Sequence, residues 1–578
     1  MEFDIVLLES PNGVAPDACL LALSHCRYPS KKLSLYYTAA TPPSSSYEQY
    51  EMQIVHSSAP GWAAACRAGS EAGRAPWVLF LEGQCAVCPD FFERLAHTIE
   101  TCEEKAGAFE CRVLPCESGK VYDPVSLETP WSGGPCLCVR REALQQTGGF
   151  DMRFSNDAAN IDFSLRLHAL GYKTFYCPGA CVYCPTPQAE SAAQYAGERE
   201  STLYLSYKYG RLGDIFSAEK AYLHTLRRPK PFPHVRKELA WRYLRHLYHL
   251  WPFLFWRLGH RALFHTAGKH FALCFEQGRG TCISQPPSIT PLVSIVVRTC
   301  RRPDVLRETL RCLRHQTYHY FEVIVVEDGA EDARNMIEQE FADLPIRYCS
   351  TGTHVGRGAA GNFGLQQAHG ELCCFLDDDD YFYADHLELF VAQFERHPQA
   401  DILFGSAMQA EINVDCLAPY HFTTARLSHL KNVRMDLFLF CASNPAPIQT
   451  VMFRRKLFEL LGGLHEQLEG GEDWYLWLKY LTCARRAAQH TVDIQRATSV
   501  FTVPADSTQA RRRAAQYLPC YEAIFQDEKT LSYTLSARQL REFYYDFLAD
   551  IGHLYRTGTL ASFLEAFQPQ ASEKEDGL

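Results

Sequence analysis

The sequence Leu372-Cys-Cys-Phe-Leu-Asp-Asp-Asp-Asp-Tyr381 places four carboxylates, Asp377 to Asp380, directly after an apolar run that is typical of a buried β-strand. Ionised side chains this close repel one another, and a hard divalent cation bound through oxygen relieves the repulsion. The pattern therefore indicates a Mg²⁺ or Mn²⁺ site that leaves coordination positions for phosphate oxygens. The alternative is an acidic loop on a solvated surface.

Other apolar runs in this region alternate with helical patterns. Short β-branched runs occur at 293–297 and 323–326, and helical periodicity occurs at 304–315. Strands that alternate with helices predict βαβ units on a largely parallel sheet. Ligands bind at the carboxyl ends of the strands in such sheets, so the residues that follow each strand are the candidate site residues.

Two further strand patterns are followed by polar residues. Glu327 and Asp328 follow one strand, where a carboxylate can accept hydrogen bonds from a base or a ribose. Downstream, Gly356-Arg-Gly-Ala-Ala-Gly-Asn supplies small residues for close backbone approach, with Arg357 and Asn362 as donors. A glycine-rich stretch alone is weak evidence. Polar residues at successive strand ends, in this order, favour one shared binding site.

A second acidic pair lies in Glu469-Gly-Gly-Glu-Asp-Trp-Tyr-Leu-Trp. Glycines before Glu472 and an apolar helical pattern after Asp473 predict a helix that begins at this pair. A carboxylate here can take the proton of a hydroxyl nucleophile. The alternative is that both acids only stabilise the helix through its dipole. Trp474 is expected either under an acceptor site or in the core.

Residues 291–505 resemble a family 2 glycosyltransferase of the GT-A fold. The matching pieces are Val293-Ser-Ile-Val-Val-Arg-Thr, Val325-Val-Glu-Asp-Gly, Gly361-Asn-Phe-Gly-Leu, Leu376-Asp-Asp-Asp-Asp and Gly471-Glu-Asp-Trp-Tyr-Leu-Trp. The resemblance implies an inverting enzyme that uses a nucleotide-diphosphate sugar and Mn²⁺ or Mg²⁺. The metal would neutralise the departing phosphates, and a carboxylate would deprotonate the acceptor.

The resemblance also implies a role for each candidate residue. The nucleotide-sugar-binding residues would be Thr299, Glu327, Asp328, Arg357, Asn362, Asp377 and Asp378. Thr299 and Asp328 would contact the nucleoside, while Arg357 and Asn362 would lie by the ribose or the diphosphate. The metal ligands would come from Asp379, Asp377 and Asp380. The catalytic base would be Asp473, with Glu472 as its substitute or orienting residue.

The first part of the chain repeats the same order of patterns without most of the polar residues. Its strand Trp77-Val-Leu-Phe-Leu leads into Glu82-Gly-Gln-Cys, and only Asp162 remains where the second acidic pair would fall. We interpret residues 1–214 as a GT-A-like domain that has lost metal-dependent transfer and binds an acceptor, a partner or its sister domain. The alternative is a second active transferase that uses Glu82 and Asp162.

The predicted fold is therefore α/β, with two GT-A domains at 1–214 and 289–528, a helical bridge at 215–288 and a C-terminal helical segment with a polar tail at 529–578. Basic and aromatic residues interleave in the bridge, as in Trp241-Arg-Tyr-Leu-Arg-His-Leu-Tyr-His-Leu-Trp. The bridge is expected either to pack its aromatic face between the domains or to make peripheral contact with an anionic membrane surface.

Composition narrows the class of protein. The 578 residues carry a net charge of −10, which argues against a nucleic-acid-binding protein. No apolar stretch reaches the length of about 18 residues that spans a membrane. The 24 scattered cysteines and the N-terminus MEFDIVLLES predict a reducing cytoplasm, with attachment at the inner face of a membrane left open. The spacing of Cys177, Cys181 and Cys184 suits an iron–sulfur cluster, but incidental thiols are favoured.

Two hypotheses of function result. The first is an inverting glycosyltransferase that moves a sugar, with UDP as the favoured carrier, to a hydroxyl of a glycan, lipid-linked or protein acceptor in surface glycan or glycoprotein synthesis. The second is a non-catalytic scaffold that binds nucleotide sugar or glycan. The pair Glu472 and Asp473 favours the enzyme, because a binding protein has no need of a base.

Overall fold

The computed structural model of the protein describes residues 1–9, 16–38, 53–55, 61–102, 104–154, 156–185, 192–230, 232–259, 278–280, 282–283, 285–430, 440–441, 444–468, 470–482 and 493–506, with separate residues between 508 and 545. Most of the predicted C-terminal segment at 529–578, residues 260–277 of the bridge, and Glu469 lie outside the described residues.

The described chain divides into two compact units. One contains Met1–Pro287 with the short segments Leu310–His319 and Tyr381–Leu389. The other contains Ser288–Thr309, Tyr320–Asp380 and Phe390–Leu578.

Apolar runs of the first 287 residues form short strands with helices between them. The strands are β1 (Phe3–Leu8), β2 (Leu33–Thr38), β3 (Gln53–Val55), β4 (Trp77–Glu82), β5 (Ala86–Val87), β6 (Ala106–Leu114), β7 (Cys116–Glu117), β8 (Cys136–Arg140), β9 (Lys173–Tyr183) and β10 (Cys282–Ile283). The helices are α1 (Asp17–Ser24), α2 (Trp62–Ala72), α3 (Phe91–Thr101), α4 (Arg141–Thr147), α5 (Asn156–Ala169), α6 (Ala192–Tyr209), α7 (Leu212–Arg227) and α8 (Arg236–Gly259).

The later residues repeat this alternation. The strands are β11 (Val293–Thr299), β12 (Phe321–Glu327), β13 (Ile346–Ser350), β14 (Leu372–Asp377), β15 (Tyr381–Phe382), β16 (Ile402–Leu417), β17 (Tyr420–Leu430), β18 (Val451–Arg454) and β19 (Asp493–Pro504). The helices are α9 (Pro303–Leu313), α10 (Arg334–Glu340), α11 (Arg357–Gln367), α12 (His386–Arg396), α13 (Lys456–Leu461) and α14 (Glu472–Leu481).

The two main sheets follow one strand order, which agrees with the repeat read from the sequence. The first runs β3-β2-β1-β4-β8-β6-β9, and the second runs β13-β12-β11-β14-β18-β16-β19. In each, the first four strands are parallel, the next strand is antiparallel to both of its neighbours, and the last pair is parallel. The chain therefore folds as two GT-A domains of mixed α/β architecture.

The central strands are buried on both faces, which explains their continuous apolar sequences. Val296 of β11 and Phe375 of β14 are 0% exposed and belong to the same core as Trp474 and Trp477 of α14. The indole of Trp474 donates to the carbonyl of Phe440 across 2.6 Å. Trp474 therefore lies in the core, which is one of the two positions expected from the sequence.

The predicted bridge contains two long helices, α7 and α8, which pack against α6. Tyr222 of α7 donates from its hydroxyl to the carbonyl of Leu239 in α8 across 2.9 Å. None of the helices within the described residues is at once long enough and apolar enough to cross a membrane.

Candidate functional site

The carboxyl ends of three neighbouring parallel strands bring the predicted residues to one edge of the second sheet. β11 ends at Thr299, β12 at Glu327 and β14 at Asp377. Thr299 is in register with Glu327, and Arg298 is in register with Asp377. Parallel strands end at a common edge, so this register gathers polar residues that lie far apart in the sequence.

Arg298 links the two acidic motifs. Its Nε and Nη2 donate to the two carboxylate oxygens of Asp377 across 2.8 and 2.9 Å, and its Nη1 donates to Glu472 Oε1 across 2.9 Å. Burial alone would lower the pKa of Arg298, but the charges of Asp377 and Glu472 outweigh it and raise the pKa. The sequence analysis missed this residue, although an arginine directly after the apolar run Val293-Ser-Ile-Val-Val was a usable signal.

Asp378 is buried at 1% exposure. Its carboxylate accepts a hydrogen bond from Thr299 Oγ1 across 2.7 Å and from Arg302 Nε across 3.2 Å, and Arg302 Nη2 makes a second contact. Burial, with a contribution from the charge of Asp379, raises the pKa of Asp378 to about 7, against the opposing charge of Arg302. Asp378 thus ties β14 to the end of β11.

The other three aspartates of the run differ in exposure. Asp380 is 3% exposed and accepts a hydrogen bond from the backbone N–H of Thr502 across 2.9 Å, so it braces β19. The side chains of Asp377 and Asp379 are 27% and 21% exposed. Mg²⁺ and Mn²⁺ bind in such sites through one or two carboxylates, with water and phosphate oxygens completing the coordination. The partly exposed pair, Asp377 and Asp379, has the donor chemistry that this coordination needs.

Glu327 and Asp328 both organise the backbone at the end of β12. Glu327 is 0% exposed and accepts hydrogen bonds from the Ala333 N–H across 2.9 Å and the Tyr348 hydroxyl across 2.6 Å. Asp328 accepts from the N–H groups of Val355 and Gly356 across 2.6 and 3.0 Å. Glu327 therefore braces the strand, while Asp328 shapes the turn that enters α11.

Arg357 and Asn362 lie on α11 with different surroundings. The Arg357 side chain is 55% exposed, and its Nη1 lies 3.8 Å from Glu472 Oε1. The Asn362 side-chain amide donates to the Leu464 carbonyl and to Glu466 across 3.0 and 2.9 Å, and its oxygen accepts from the Leu464 N–H across 2.7 Å. Arg357 thus joins the acidic site, whereas Asn362 fastens α11 to the loop before α14. Its contact with a ribose or diphosphate stays a prediction.

Helix α14 starts with the second acidic pair. Gly471, with φ of 73°, makes the left-handed turn before Glu472. Asp473 Oδ2 accepts a hydrogen bond from Asn444 Nδ2 across 2.9 Å, and Oδ1 accepts from the Trp474 N–H across 2.8 Å. Burial, with a contribution from the charge of Glu472, raises the pKa of Asp473 to about 7. A carboxylate with this pKa suits proton transfer near neutral pH.

Asn444 is a further site residue that the sequence analysis missed. It lies in a segment of no regular pattern between β17 and β18, so periodicity did not single it out. The only local signal was the Asn444-Pro dipeptide, which favours a turn. Its contact with Asp473, which lies 29 positions later, arises only in the tertiary structure.

The corresponding acids of the first unit are arranged differently. Asp162 is 0% exposed and accepts hydrogen bonds from Arg166 Nε across 2.9 Å and the Tyr209 hydroxyl across 2.7 Å, with Lys208 in contact. Burial alone would raise the pKa of Asp162, but Arg166 and Lys208 lower it. Glu82 accepts from Gln84 across 2.9 Å, and burial raises its pKa. Asp162, the acid that the first unit retains at the position of the second acidic pair, is thus held in a buried ion cluster.

Both parts of the chain match models of glycosyltransferase families. Residues 294–462 match Glycosyl transferase family 2, and residues 87–264 match Glycosyl transferase family group 2. An uncharacterised glycosyltransferase of Haemophilus influenzae is 25% identical over 196 residues, which cover 33% of this chain and 62% of that protein. The amylovoran biosynthesis glycosyltransferase AmsB of Erwinia amylovora is 32% identical over 107 residues, which cover 18% of this chain and 36% of that protein.

These matched regions leave more than a third of each relative uncovered. Among solved structures, S. aureus TarS 1-349 in complex with UDP-GlcNAc is 21% identical, with a TM-score of 0.30, over 38% of this chain and 60% of that chain.

Proposed function

Because the chain belongs to glycosyltransferase family 2 and carries two domains of that family in tandem, we propose that its second domain, residues 289–528, transfers a sugar from a nucleotide-diphosphate sugar to a hydroxyl with inversion. One observation carries the proposal. Arg298 joins Asp377, at the end of β14, to Glu472, the neighbour of Asp473, so both acidic motifs belong to one site.

The donor would lie along the carboxyl edge of the sheet. Thr299 and Asp328 would face the nucleoside, for which UDP is the favoured carrier, and Arg357 would face the diphosphate. The exposure of the Arg357 guanidinium, 55%, supports this role because an anion can reach it. The buried Asp378 and Glu327 would hold the strand ends in position rather than touch the donor.

A Mn²⁺ or Mg²⁺ ion would be held by Asp379 and Asp377, the two partly exposed carboxylates of the run. Such an ion supplies charge neutralisation for the departing diphosphate. Asp380 already accepts a hydrogen bond from the Thr502 N–H, so it would help to position the two ligands rather than bind the ion. Arg298 would hold Asp377 in position, since its guanidinium contacts both oxygens of that carboxylate.

Asp473 would act as the catalytic base. The acceptor hydroxyl oxygen would form a bond to the anomeric carbon as the bond from that carbon to the diphosphate breaks, and Asp473 would take the hydroxyl proton. A single displacement from the face opposite the leaving group inverts the configuration. Asn444 would orient Asp473, because its amide donates to one carboxylate oxygen. Glu472 is engaged by Arg298 and would orient rather than deprotonate.

The first unit would serve binding rather than transfer. The ion cluster around Asp162 supports this, because an acid neutralised by Arg166 and Lys208 and shielded from solvent is a poor base for an incoming hydroxyl. An acceptor glycan or a partner protein is the ligand that this unit would hold. The name of the amylovoran relative supports a role in polysaccharide synthesis.

Peripheral membrane contact would come from helix α8. Trp241, Tyr248 and Trp251 are 60%, 79% and 64% exposed, and their spacing puts them on one face of the helix. Tryptophan and tyrosine favour the interface of a bilayer, and the basic residues of α8 favour anionic lipid. Sedimentation with anionic vesicles should capture the wild type, and Trp241→Ala/Trp251→Ala should reduce the captured fraction. Equal capture of both proteins would contradict membrane contact through α8.

The transfer reaction is tested by incubating the full chain with Mn²⁺ and a panel of UDP-, GDP- and dTDP-sugars, and measuring release of nucleoside diphosphate. Release with one donor supports an enzyme, and Asp473→Asn should lower the turnover about 10²- to 10⁴-fold. Glu459→Gln, an exposed acid on α13, is the matched control and should leave turnover unchanged. Binding of a nucleotide sugar without release, across the whole panel and with acceptors present, would favour the scaffold instead.

A further inference from the structure

A second group of side chains that are able to bind a metal ion lies at the same sheet edge, apart from the aspartate run. The set consists of Cys300, Asp328 and His354, whose sulfur, carboxylate oxygen and ring nitrogen lie within 4.8 Å of one another. Among the described residues, this is the one group of three or more His, Cys, Asp or Glu side chains that meets this spacing.

The fold brings the three residues together from different segments. Cys300 follows β11, Asp328 follows β12, and His354 precedes α11. His354 Nδ1 lies 2.8 Å from Asp328 Oδ2, and Cys300 Sγ lies 3.2 Å from the Asp328 carbonyl oxygen. The N–H groups of Val355 and Gly356 hold the Asp328 carboxylate in place. One ligand is therefore fixed, and the other two lie beside it.

The donor set distinguishes this group from the aspartates. Thiolate sulfur and imidazole nitrogen, with one carboxylate oxygen, suit Zn²⁺ and Co²⁺, whereas Mg²⁺ and Mn²⁺ prefer oxygen alone. Three protein ligands leave a fourth tetrahedral position open. The His354 side chain is 66% exposed, so an ion can enter from solvent and the ring can turn toward it.

We propose that Cys300, Asp328 and His354 bind one zinc-class cation, with water in the fourth position. On binding, a sulfur–metal bond replaces the S–H bond of Cys300, and the proton passes to solvent. Asp328 binds through the oxygen that faces His354 and keeps its backbone hydrogen bonds. If Asp328 also contacts the donor nucleoside, as the proposed function requires, this ion and the nucleoside exclude each other.

The metal site is tested without any transfer assay. The full chain, in a reductant that does not bind metal, is titrated with Co²⁺ while the thiolate-to-cobalt absorption is followed. Cys300→Ser and His354→Ala should each weaken binding at this site by about tenfold or more, since changes even to groups around metal ligands cost 10- to 100-fold. Both variants should lose about one equivalent of the cobalt signal relative to wild type.

Matched controls are Cys349→Ser, a partly buried thiol on β13, and His369→Ala, an exposed imidazole beside Glu322. Both should retain the wild-type spectrum and affinity. Circular dichroism checks that all four variants are folded. If Cys300→Ser and His354→Ala kept the wild-type cobalt spectrum and stoichiometry, the proposed site would be overturned. The three residues would then be linked to one another only by hydrogen bonds.

Competition with the nucleotide is measured by calorimetric titration of UDP with and without Zn²⁺. Zinc should weaken UDP binding to the wild type at least tenfold and should have no such effect on Cys300→Ser. Equal UDP affinity with and without zinc would overturn the exclusion. Failure of UDP, GDP and dTDP to bind at all, with the cobalt signal present, would count against the proposed function while supporting the metal site.

Discussion

Arg298 Nη1 lies 2.9 Å from Glu472 Oε1, which joins the end of strand β11 to the first residue of helix α14. The same guanidinium contacts both oxygens of Asp377. One buried cation thus lies between the aspartate run that follows β14 and the acidic pair that begins α14. It also separates the roles of the acidic pair, because Glu472 is held by a charge and Asp473 by the amide of Asn444.

Removing the guanidinium of Arg298 should destabilise the second unit. Arg298→Met leaves Asp377 and the buried Glu472 without their cation, and breaking a buried ion pair costs about 3–5 kcal/mol. Thermal unfolding measures the loss. Arg334→Met, which removes an arginine that pairs with Glu331 at the surface, is the control and should lower the midpoint far less. Equal midpoints for the two variants would contradict the bridging role.

Activity should rise with pH through about 7. Asp473 accepts a proton only when it is ionised, and burial raises its pKa to about 7, so kcat/KM falls as pH drops below that value. The Asn444 amide stabilises the ionised form, so Asn444→Ala should move this limb to higher pH. The profile is measured with a saturating metal. An acid limb near pH 4 in both proteins would argue against Asp473 as the base.

Asp379→Ala should raise the Mn²⁺ concentration needed for half-maximal turnover by at least tenfold while leaving the unfolding midpoint close to that of wild type. This carboxylate is partly exposed, and we propose it as a metal ligand rather than as a group that stabilises the core. Asp380→Ala should instead lower the unfolding midpoint and leave the Mn²⁺ requirement close to that of wild type. The Thr502 N–H would lose its buried hydrogen-bond partner, which costs about 1–3 kcal/mol. Metal titration and thermal unfolding separate the two. If both variants changed the Mn²⁺ requirement and the unfolding midpoint equally, Asp379 and Asp380 would not have the separate roles predicted here.

Gly463→Ala should disturb the loop before α14. A Cβ at Gly463 would lie 1.9 Å from Asn362 Oδ1, so the hydrogen bonds of Asn362 to Leu464 would have to shift. Overpacking of this kind costs about 1–3 kcal/mol. Gly213→Ala in α7 is the control, since nothing lies within 4 Å of the added Cβ and alanine favours helix. Urea unfolding should therefore show a loss for the first variant and none for the second.

Lys208→Met should lower stability without lowering turnover. The ammonium of Lys208 pairs with Asp162 and Asp151 in the first unit, and leaving the buried Asp162 carboxylate without it costs about 3–5 kcal/mol. Nucleoside diphosphate release, assayed below the unfolding temperature, should remain within twofold of wild type. A loss of turnover as large as that of Asp473→Asn would instead make the Asp162 cluster part of the transfer reaction.

Local sequence was enough to predict the architecture. Apolar runs of strand length that alternate with helical periodicity, repeated in the same order in both halves, predict two similar α/β domains because strand and helix periods are properties of neighbouring residues. The acids after β12 and β14 and at the start of α14 could be singled out for the same reason, since each directly follows or begins a recognisable element.

The different burial and pairing of those acids depend on contacts between residues that are distant in the sequence. Arg298 and Glu472 are 174 positions apart, and Asn444 and Asp473 are 29 apart. No pattern within a run of four aspartates shows that Asp378 and Asp380 are enclosed while Asp377 and Asp379 reach solvent. Burial and pairing set the ionisation and the availability of a carboxylate, and both arise only when the strands and loops pack.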